Sequence, residues 1–454
     1  MQESAFTLLP PALAIVIAIW RKNAILALIS GLFLCFLLLE SWNPITAGID
    51  TLAGVGNVFG STGNAQIIAF SLLIGALVEL MNRSGAVQGF IDNLANLSLV
   101  KTKRQATLLP TIVGTTIFTD TNLSMFSGGM ASQKLFDQHG ISRAKLAYLL
   151  DSTCSPISVL FLINGWGAYL LGLLDGYNLA DPVSVLLGTL TYNFYAIIAV
   201  LLAYYTAYSG KVYGPMAKCD QLMQSPSDVD YIKPAKARVM WLPMISLLVL
   251  TLVLLWVTGD GDIRRGSGSF SVFVAIVSAL ALLIVMIFAY KLLTLKELTD
   301  GFIKGLKNML PAVTILVLSF AFGDAIKALG TGTYVSSLIS SDFPLILIAP
   351  LIFLAAGIMA FSTGTSWGTF ALLIPIAVPI ALDTGLPVPF LVAAVLSGGV
   401  FGDHASPISD STVVASIASG CDHFEHVKTQ LPYSLFAATL TIIGFLIVGA
   451  SVQI

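Results

Sequence analysis

The sequence predicts an all-α polytopic membrane protein. It is expected to form two inverted repeats, each with five spanning helices (one discontinuous) plus one re-entrant hairpin. Three observations carry this reading. The 454 residues are 56% hydrophobic and only 10% charged, with a mean hydropathy of +0.90. A soluble domain carries about 25% charged residues, and a core cannot absorb that deficit because a domain in water needs a polar shell. The apolar residues run continuously, without the alternating ten-residue strands of a membrane barrel. A set of polar landmarks also occurs once in each half, in the same order. A soluble enzyme, a nucleic-acid binder and a disordered chain are excluded. The formal net charge of −2 adds little, because the placement of charge matters more than its sum.

The elements follow in order. A spanning helix needs about 20 mostly apolar residues. The first run, 6–20, is followed by Arg21, Lys22 and a second run at 24–42. It reads as a span, not as a signal peptide ending in a small-residue cleavage site. Between Lys22 and Arg83 there is no basic residue, so the 43–64 loop is placed outside by the positive-inside rule. The run 65–82 returns to an inner side marked by Arg83, Lys101, Lys103 and Arg104. Lys134, Arg143 and Lys145 mark that side again. The stretch between the two basic clusters is too short to cross twice and is broken by Thr119, Asp120, Thr121 and Asn122. It is therefore expected to be a re-entrant hairpin over 105–133 with that polar tetrad at its tip. Irregular backbone at membrane depth is tolerated only where protein or a cavity surrounds it.

A broken helix over 145–175 and a span at 184–209 complete a first repeat, 1–210. A cytoplasmic linker, 211–238, carries several basic residues. The second repeat, 239–454, opens with spans at 239–258, 269–290 and 308–327. A second hairpin follows at 344–382, with Ser362 to Ser366 at its tip, then a broken helix at 388–420 and a last span at 432–454. On this topology all lysines and arginines face inside except Arg264, Arg265 and Lys327.

Internal similarity supports the two halves. Ser155-Pro156-Ile157-Ser158 recurs as Ser406-Pro407-Ile408-Ser409, each after an aspartate, Asp151 or Asp403. Gly114 to Phe118 parallels Gly357 to Phe361 before each tip, and Glu79 precedes Gly85 as Asp324 precedes Gly330. With an odd number of crossings per half, the second half is upside down. Inverted repeats with broken helices are the architecture of secondary transporters, whose sites lie near the midplane.

The candidate ion- or substrate-binding residues are those at the tips and breaks: Asp120, Asn122, Asp151, Ser155, Ser158, Thr363, Thr365, Asp403, Ser406, Ser409 and Asp410. Proline lacks an N–H and clashes with the preceding turn, so each Ser-Pro-Ile-Ser is expected to open its helix. Freed carbonyls and hydroxyls are hard oxygen ligands suited to Na⁺. An ordinary proline kink accounts for one such motif, whereas two copies flanked by carboxylates read as a site. A charge at bilayer depth costs at least ~2.5–3.5 kcal/mol on insertion scales and usually marks an ion or proton path. Asp120 has the alternative of capping the hairpin's return arm, and Glu79 and Asp324 of snorkelling. Asp403, Asp410 and Asp151 rank first as Na⁺ ligands. No lysine or arginine falls mid-membrane, which favours a cation over an anion as the main ligand.

His404, His423 and His426 are candidates for pH sensing, since histidine titrates near neutrality. A zinc site among Cys421, Asp422, His423, Glu425 and His426 lacks a second half. Trp166 and Trp367 read as packing. Cys35, Cys154, Cys219 and Cys421 have no paired spacing, so no disulfide framework is expected.

The motif Gly402-Asp-His-Ala-Ser-Pro-Ile-Ser-Asp-Ser-Thr412, followed by Cys421-Asp-His423 and Gln430-Leu-Pro-Tyr433, resembles the NhaC family of sodium/proton antiporters. Thr119 to Asn122 and Asp151 to Ser158 look like that family's first-half motifs. Family members often carry cysteine where this chain has Ala405. The resemblance implies an ion-coupled transporter, not an enzyme, with elevator-like alternating access and transported Na⁺ and H⁺ in place of cofactors. Its expected surroundings are a lipid bilayer, as a multi-pass protein of the cell (inner) membrane, with no nucleic-acid partner; a homodimer is compatible with it. Two functions stay open: Na⁺/H⁺ antiport, and Na⁺- or H⁺-coupled transport of a small organic molecule such as an amino acid or a carboxylate, including lactate/malate-type exchange.

Overall fold

In a hydrocarbon solvent every backbone N–H and C=O must be satisfied internally, and for continuous apolar runs the helix does this within one segment. The computed structural model follows that rule. It describes residues 5–21, 23–90, 102–118, 120–162, 164–175, 177, 179, 181–219, 234–331, 334 and 344–452, and every regular element among them is helical. Thr119, Lys101 and the middle of the expected linker, 220–233, lie outside the described residues.

The chain forms α1 (Leu9–Arg21), α2 (Ala24–Leu39), α3 (Pro44–Asn57), α4 (Thr62–Arg83), α5 (Lys103–Thr116), α6 (Thr121–Gln138), α7 (Arg143–Leu160), α8 (Gly165–Asp175), α9 (Pro182–Tyr192) and α10 (Phe194–Ser209). The second half contributes α11 (Arg238–Thr258), α12 (Gly268–Ala289), α13 (Leu295–Leu329), α14 (Ile348–Thr363), α15 (Ser366–Thr384), α16 (Val388–Ala405), α17 (Asp410–Ser419) and α18 (His423–Val452). Among the described residues, eight helices are long and apolar enough to cross a membrane, or ten if two bent pairs each count as one span. Those pairs are α7 with α8, bent by 42°, and α9 with the segment from Phe194, bent by 47°.

Local signals set the starts. Asn43 accepts from the N–H groups of Ile45 and Thr46, and Pro44 opens α3. That helix occupies the segment expected to be an outside loop. Thr102 and Gln105 form a capping box on α5, as Thr294 and Glu297 do on α13. Asp120 caps α6 by accepting from the Leu123 N–H at 2.7 Å.

One expectation is corrected. The two Ser-Pro-Ile-Ser motifs behave differently. The second breaks its helix, because α16 ends at Ala405 and α17 starts at Asp410. The first stays inside α7, and the break comes later, between Leu160 and Gly165. Pro156 removes the N–H that would bond the Ser152 carbonyl, yet α7 is buried from Arg143 to Val159. Packing on all sides holds this turn helical. At the second motif the Ser406 hydroxyl instead donates out of the helix, to the Phe361 carbonyl at 2.7 Å.

The largest apolar cluster joins α2, α8, α13, α15 and α16 through Leu32, Tyr169, Phe322, Phe370 and Phe390. The centre of α4 crosses α13 at Gly75 and Gly305, where a Cβ on Gly75 would sit 2.4 Å from the Gly305 carbonyl oxygen. At one end of the molecule, α6 and α7 dock on the end of α17. Gln133 Nε2 donates to the Ala418 carbonyl at 2.9 Å, and Arg143 Nη1 to the Ser419 carbonyl at 2.7 Å. Asp137 holds the same guanidinium through two bonds.

Candidate ion-binding site

Two helix pairs meet two helix breaks at the centre. The turn between α14 and α15 is Gly364–Thr365, with Gly364 at φ +68°. The left-handed conformation suits glycine because it has no Cβ to strain. A Cβ there would also lie 2.5 Å from the Ile408 carbonyl oxygen, so this tip sits directly on the α16–α17 break. Side chains pin it. Ser366 donates to Asp403 Oδ2 at 2.9 Å, and Ser409 donates to Asp403 Oδ1 at 2.5 Å. The break thus folds back on the carboxylate that precedes it.

The first half is built similarly from different residues. The turn between α5 and α6 meets α7 through Thr121 and Ser158, whose hydroxyls lie 2.9 Å apart. Asn164, in the α7–α8 break, donates to the Phe118 carbonyl at 2.8 Å and the Ser158 carbonyl at 2.7 Å. Its side-chain oxygen accepts from the Gly167 N–H at 3.0 Å and caps α8. Sequence reasoning missed Asn164, although an asparagine two residues before Trp166 is an N-cap signal.

A cavity of about 350 Å³ lies between these junctions. Of the expected residues, Asp120, Asn122, Ser155, Thr365, Asp403 and Asp410 line it. No lysine, arginine or histidine does so among the described residues. A wider cavity of about 560 Å³ shares Asp120, Asn122, Asn308 and Met309 with it and reaches Glu79, Asn82 and Gln88. Glu79 is ion-paired with Arg83 at 2.8 Å and Lys304 at 2.9 Å, so it is neutralised at that mouth. The inner cavity also contacts Trp166 and Trp367, with rings 5.5 Å apart. The Tyr169 hydroxyl donates to the Trp367 carbonyl at 2.9 Å.

The remaining expected residues lie off the cavity wall. Thr363 Oγ1 donates to the Met359 carbonyl at 2.9 Å, inside its own helix. Ser406, Ser409 and Ser158 serve the junctions described above. Asp151, named as a Na⁺ ligand, is fully buried in a separate cluster. Its Oδ2 accepts from Gln430 Nε2 at 2.7 Å and lies 3.2 Å from His426 Nε2 and 3.9 Å from His404 Nε2. His404 lies 2.8 Å from the Tyr195 hydroxyl and 3.0 Å from that of Ser152. His423 is apart from both, 2.6 Å from the Pro407 carbonyl and 3.1 Å from the Ser416 hydroxyl. Gln430 entered the sequence reading only as part of the Gln430–Tyr433 motif and Tyr195 not at all, because their role depends on contacts across the two halves. Among the described residues no group of three His, Cys, Asp or Glu side chains is arranged to hold a metal ion.

Residues 146–450, which contain both breaks, match the profile of the Na⁺/H⁺ antiporter family. The chain belongs to that family. A Haemophilus influenzae relative, named only as an uncharacterized protein, is 31% identical over 98% of this chain and 91% of its own length. The malate-2H⁺/Na⁺-lactate antiporter of Bacillus subtilis is 39% identical over 40% of each chain. Among solved structures, MtrF of Neisseria gonorrhoeae, described with a class of antimetabolite efflux pumps, superimposes with a TM-score of 0.60. It is 14% identical and covers 88% of this chain and 84% of its own, a likeness of fold. This family member is thus a multi-pass secondary transporter and not an enzyme.

Proposed function

We infer that the protein exchanges Na⁺ for H⁺ across the cell (inner) membrane by alternating access, with the carboxylates of the inner cavity as the exchange site. The observation that carries this is the convergence of Asp120, Asp403 and Asp410 on one cavity whose described wall holds no fixed cation. Carboxylates, hydroxyls and amide oxygens are the ligands a hard cation takes. A carboxylate that binds a proton loses its affinity for Na⁺, so one site can carry either ion but not readily both. That exclusion is sufficient for antiport. The family match and the Na⁺-coupled Bacillus relative support the same reading.

The geometry also supports a direction. The cavity continues toward Glu79 and Gln88, beside the basic Arg83 and Lys304, which the positive-inside rule places in the cytoplasm. Trp166 and Trp367 line the inner cavity and not the wider one, and pack together with Tyr169. This is an inward-facing form, and the two tip–break junctions are the units that would move together in the exchange. The role of Asp151 is to tie α7 to α16 and α18 across the two halves, beside the site instead of in it. The test is purified protein in proteoliposomes loaded with a pH-sensitive dye. Inward Na⁺ pulses should alkalinise the lumen and reverse when the Na⁺ gradient is reversed. A lumen that stays unchanged while the protein is folded and inserted would overturn the reading.

A further inference from the structure

The inner cavity is larger than a metal ion needs. At about 350 Å³ it falls in the range of pockets that hold small organic molecules. A dehydrated Na⁺ against Asp403 would leave most of it empty. Its lining is chemically mixed: it includes the carboxylates Asp120 and Asp410 as well as Trp166 and Trp367 with Met309, Pro311 and Ile315.

Two buried hydroxyls also point to a ligand. Ser71 and Ser155 are 4% and 2% exposed and line this cavity. Neither hydroxyl has a hydrogen-bond partner among the described residues. A buried polar group without a partner is rare and calls for an explanation. A ligand that donates hydrogen bonds would supply one.

We propose that the cavity binds a small organic ammonium compound, with its ammonium group on Asp120, Asp410 and the Ser155 hydroxyl and its carbon body against the packed pair Trp166 and Trp367. This rests on the alternating-access reading above and adds an organic cargo to the same site. An ammonium carries three donors and no acceptor, which matches a wall of carboxylates and open hydroxyls. Tryptophan faces attract cations through the ring quadrupole and cover the methylenes. An organic anion meets the opposite situation. It would face three carboxylates with no described lysine, arginine or histidine on the wall. The helix starts that could offset this are partly occupied, since Asp120 accepts from the Leu123 N–H and Asp410 from the Ser411 N–H. The start of α15, where Thr365 and Trp367 line the cavity, has no side-chain cap and would be the place for the α-carboxylate of an amino acid. A diamine and a cationic amino acid therefore share the recognised group and differ only at α15.

The experiment measures equilibrium binding of radiolabelled 1,5-diaminopentane, L-lysine, L-leucine and succinate to the purified protein, with K⁺ holding ionic strength constant. Na⁺/H⁺ exchange is assayed on the same preparation without organic compounds. At least one of the two cationic compounds should bind, and succinate should not. Asp120→Asn should weaken binding tenfold or more, as expected for loss of a charge-assisted contact. Trp367→Ala should weaken it more than Trp367→Phe, which keeps an aromatic face and separates a ligand contact from a folding defect. Binding of L-lysine without the diamine assigns the α15 start to a carboxylate, and the reverse assigns a simple amine; both support the proposal. Preference for succinate, or no binding of either cationic compound by folded protein, overturns it. If exchange persists in that case, the Na⁺/H⁺ reading stands alone. If cationic compounds bind but Na⁺ moves no protons, the antiport reading fails and the ammonium site stands.

Discussion

Gly364→Ala should uncouple the second hairpin tip from the break it sits on. The substitution acts twice. Gly364 is at φ +68°, where an L-residue pays roughly 1–2 kcal/mol. Its new Cβ would also stand 2.5 Å from the Ile408 carbonyl oxygen, so the tip must retreat. Retreat strains the Ser366–Asp403 bond at 2.9 Å and the Ser406–Phe361 bond at 2.7 Å. A neutral hydrogen bond is worth about 0.5–1.5 kcal/mol net, and one to a charged group about 1.5–3. Losing the two amounts to roughly 2–4 kcal/mol of site organisation, which at ~1.4 kcal/mol per tenfold is about a thirtyfold to thousandfold rise in the Na⁺ half-saturation constant. Gly385→Ala is the control. Gly385 has φ +74° but nothing within 4 Å of its would-be Cβ, so it meets the backbone cost without the clash. The assay is Na⁺-driven pH change in proteoliposomes over a Na⁺ titration. Equal half-saturation constants for the two variants would refute the claim that tip–break contact builds the site.

Three further outcomes are expected. Asp403→Asn should abolish Na⁺ binding, measured with radiolabelled Na⁺, while the detergent-purified protein stays monodisperse. Asp151→Asn should retain Na⁺ binding and coupled proton movement but lower the melting temperature of the detergent-purified protein, because the altered group ties α7 to α16 and α18 in the His404–His426–Gln430 cluster and does not lie on the cavity wall; loss of Na⁺ binding by the folded variant would place Asp151 in the site. In a cysteine-free background, Asn122→Cys should react with a membrane-impermeant thiol reagent only from the cytoplasmic side and Ser362→Cys only from outside. Labelling of position 122 from outside in every state would contradict the assigned topology.

Much of the fold was legible because membrane helices declare themselves by length and composition, and hairpin tips by polar residues interrupting apolar runs. The second break was legible for a local reason: Pro407 and two serines sit where the hydroxyls find partners outside their own helix. The identical tetrapeptide at Ser155 misled, since Pro156 is overruled by the burial around α7. Helix α3 is not legible as a span, although Asn43 followed by Pro44 is a helix-start signal, because the segment between the apolar runs 24–42 and 65–82 reads as their connection, and its lack of basic charge says only on which side it lies. The cavity carboxylates could be named from sequence because charge at depth is costly. The separation of Asp151 from Asp403 could not, since it depends on His426 and Gln430 arriving from α18.

The most direct test of a shared Na⁺/H⁺ site is the Na⁺ half-saturation constant across pH 6 to 9 in proteoliposomes. If one carboxylate takes either ion, protonation removes the Na⁺ ligand. The constant should then rise about tenfold per unit of falling pH for a one-for-one exchange, since each unit is ~1.4 kcal/mol. It should level off at high pH, where no proton remains to displace. A constant that stays unchanged over the whole range would contradict the account.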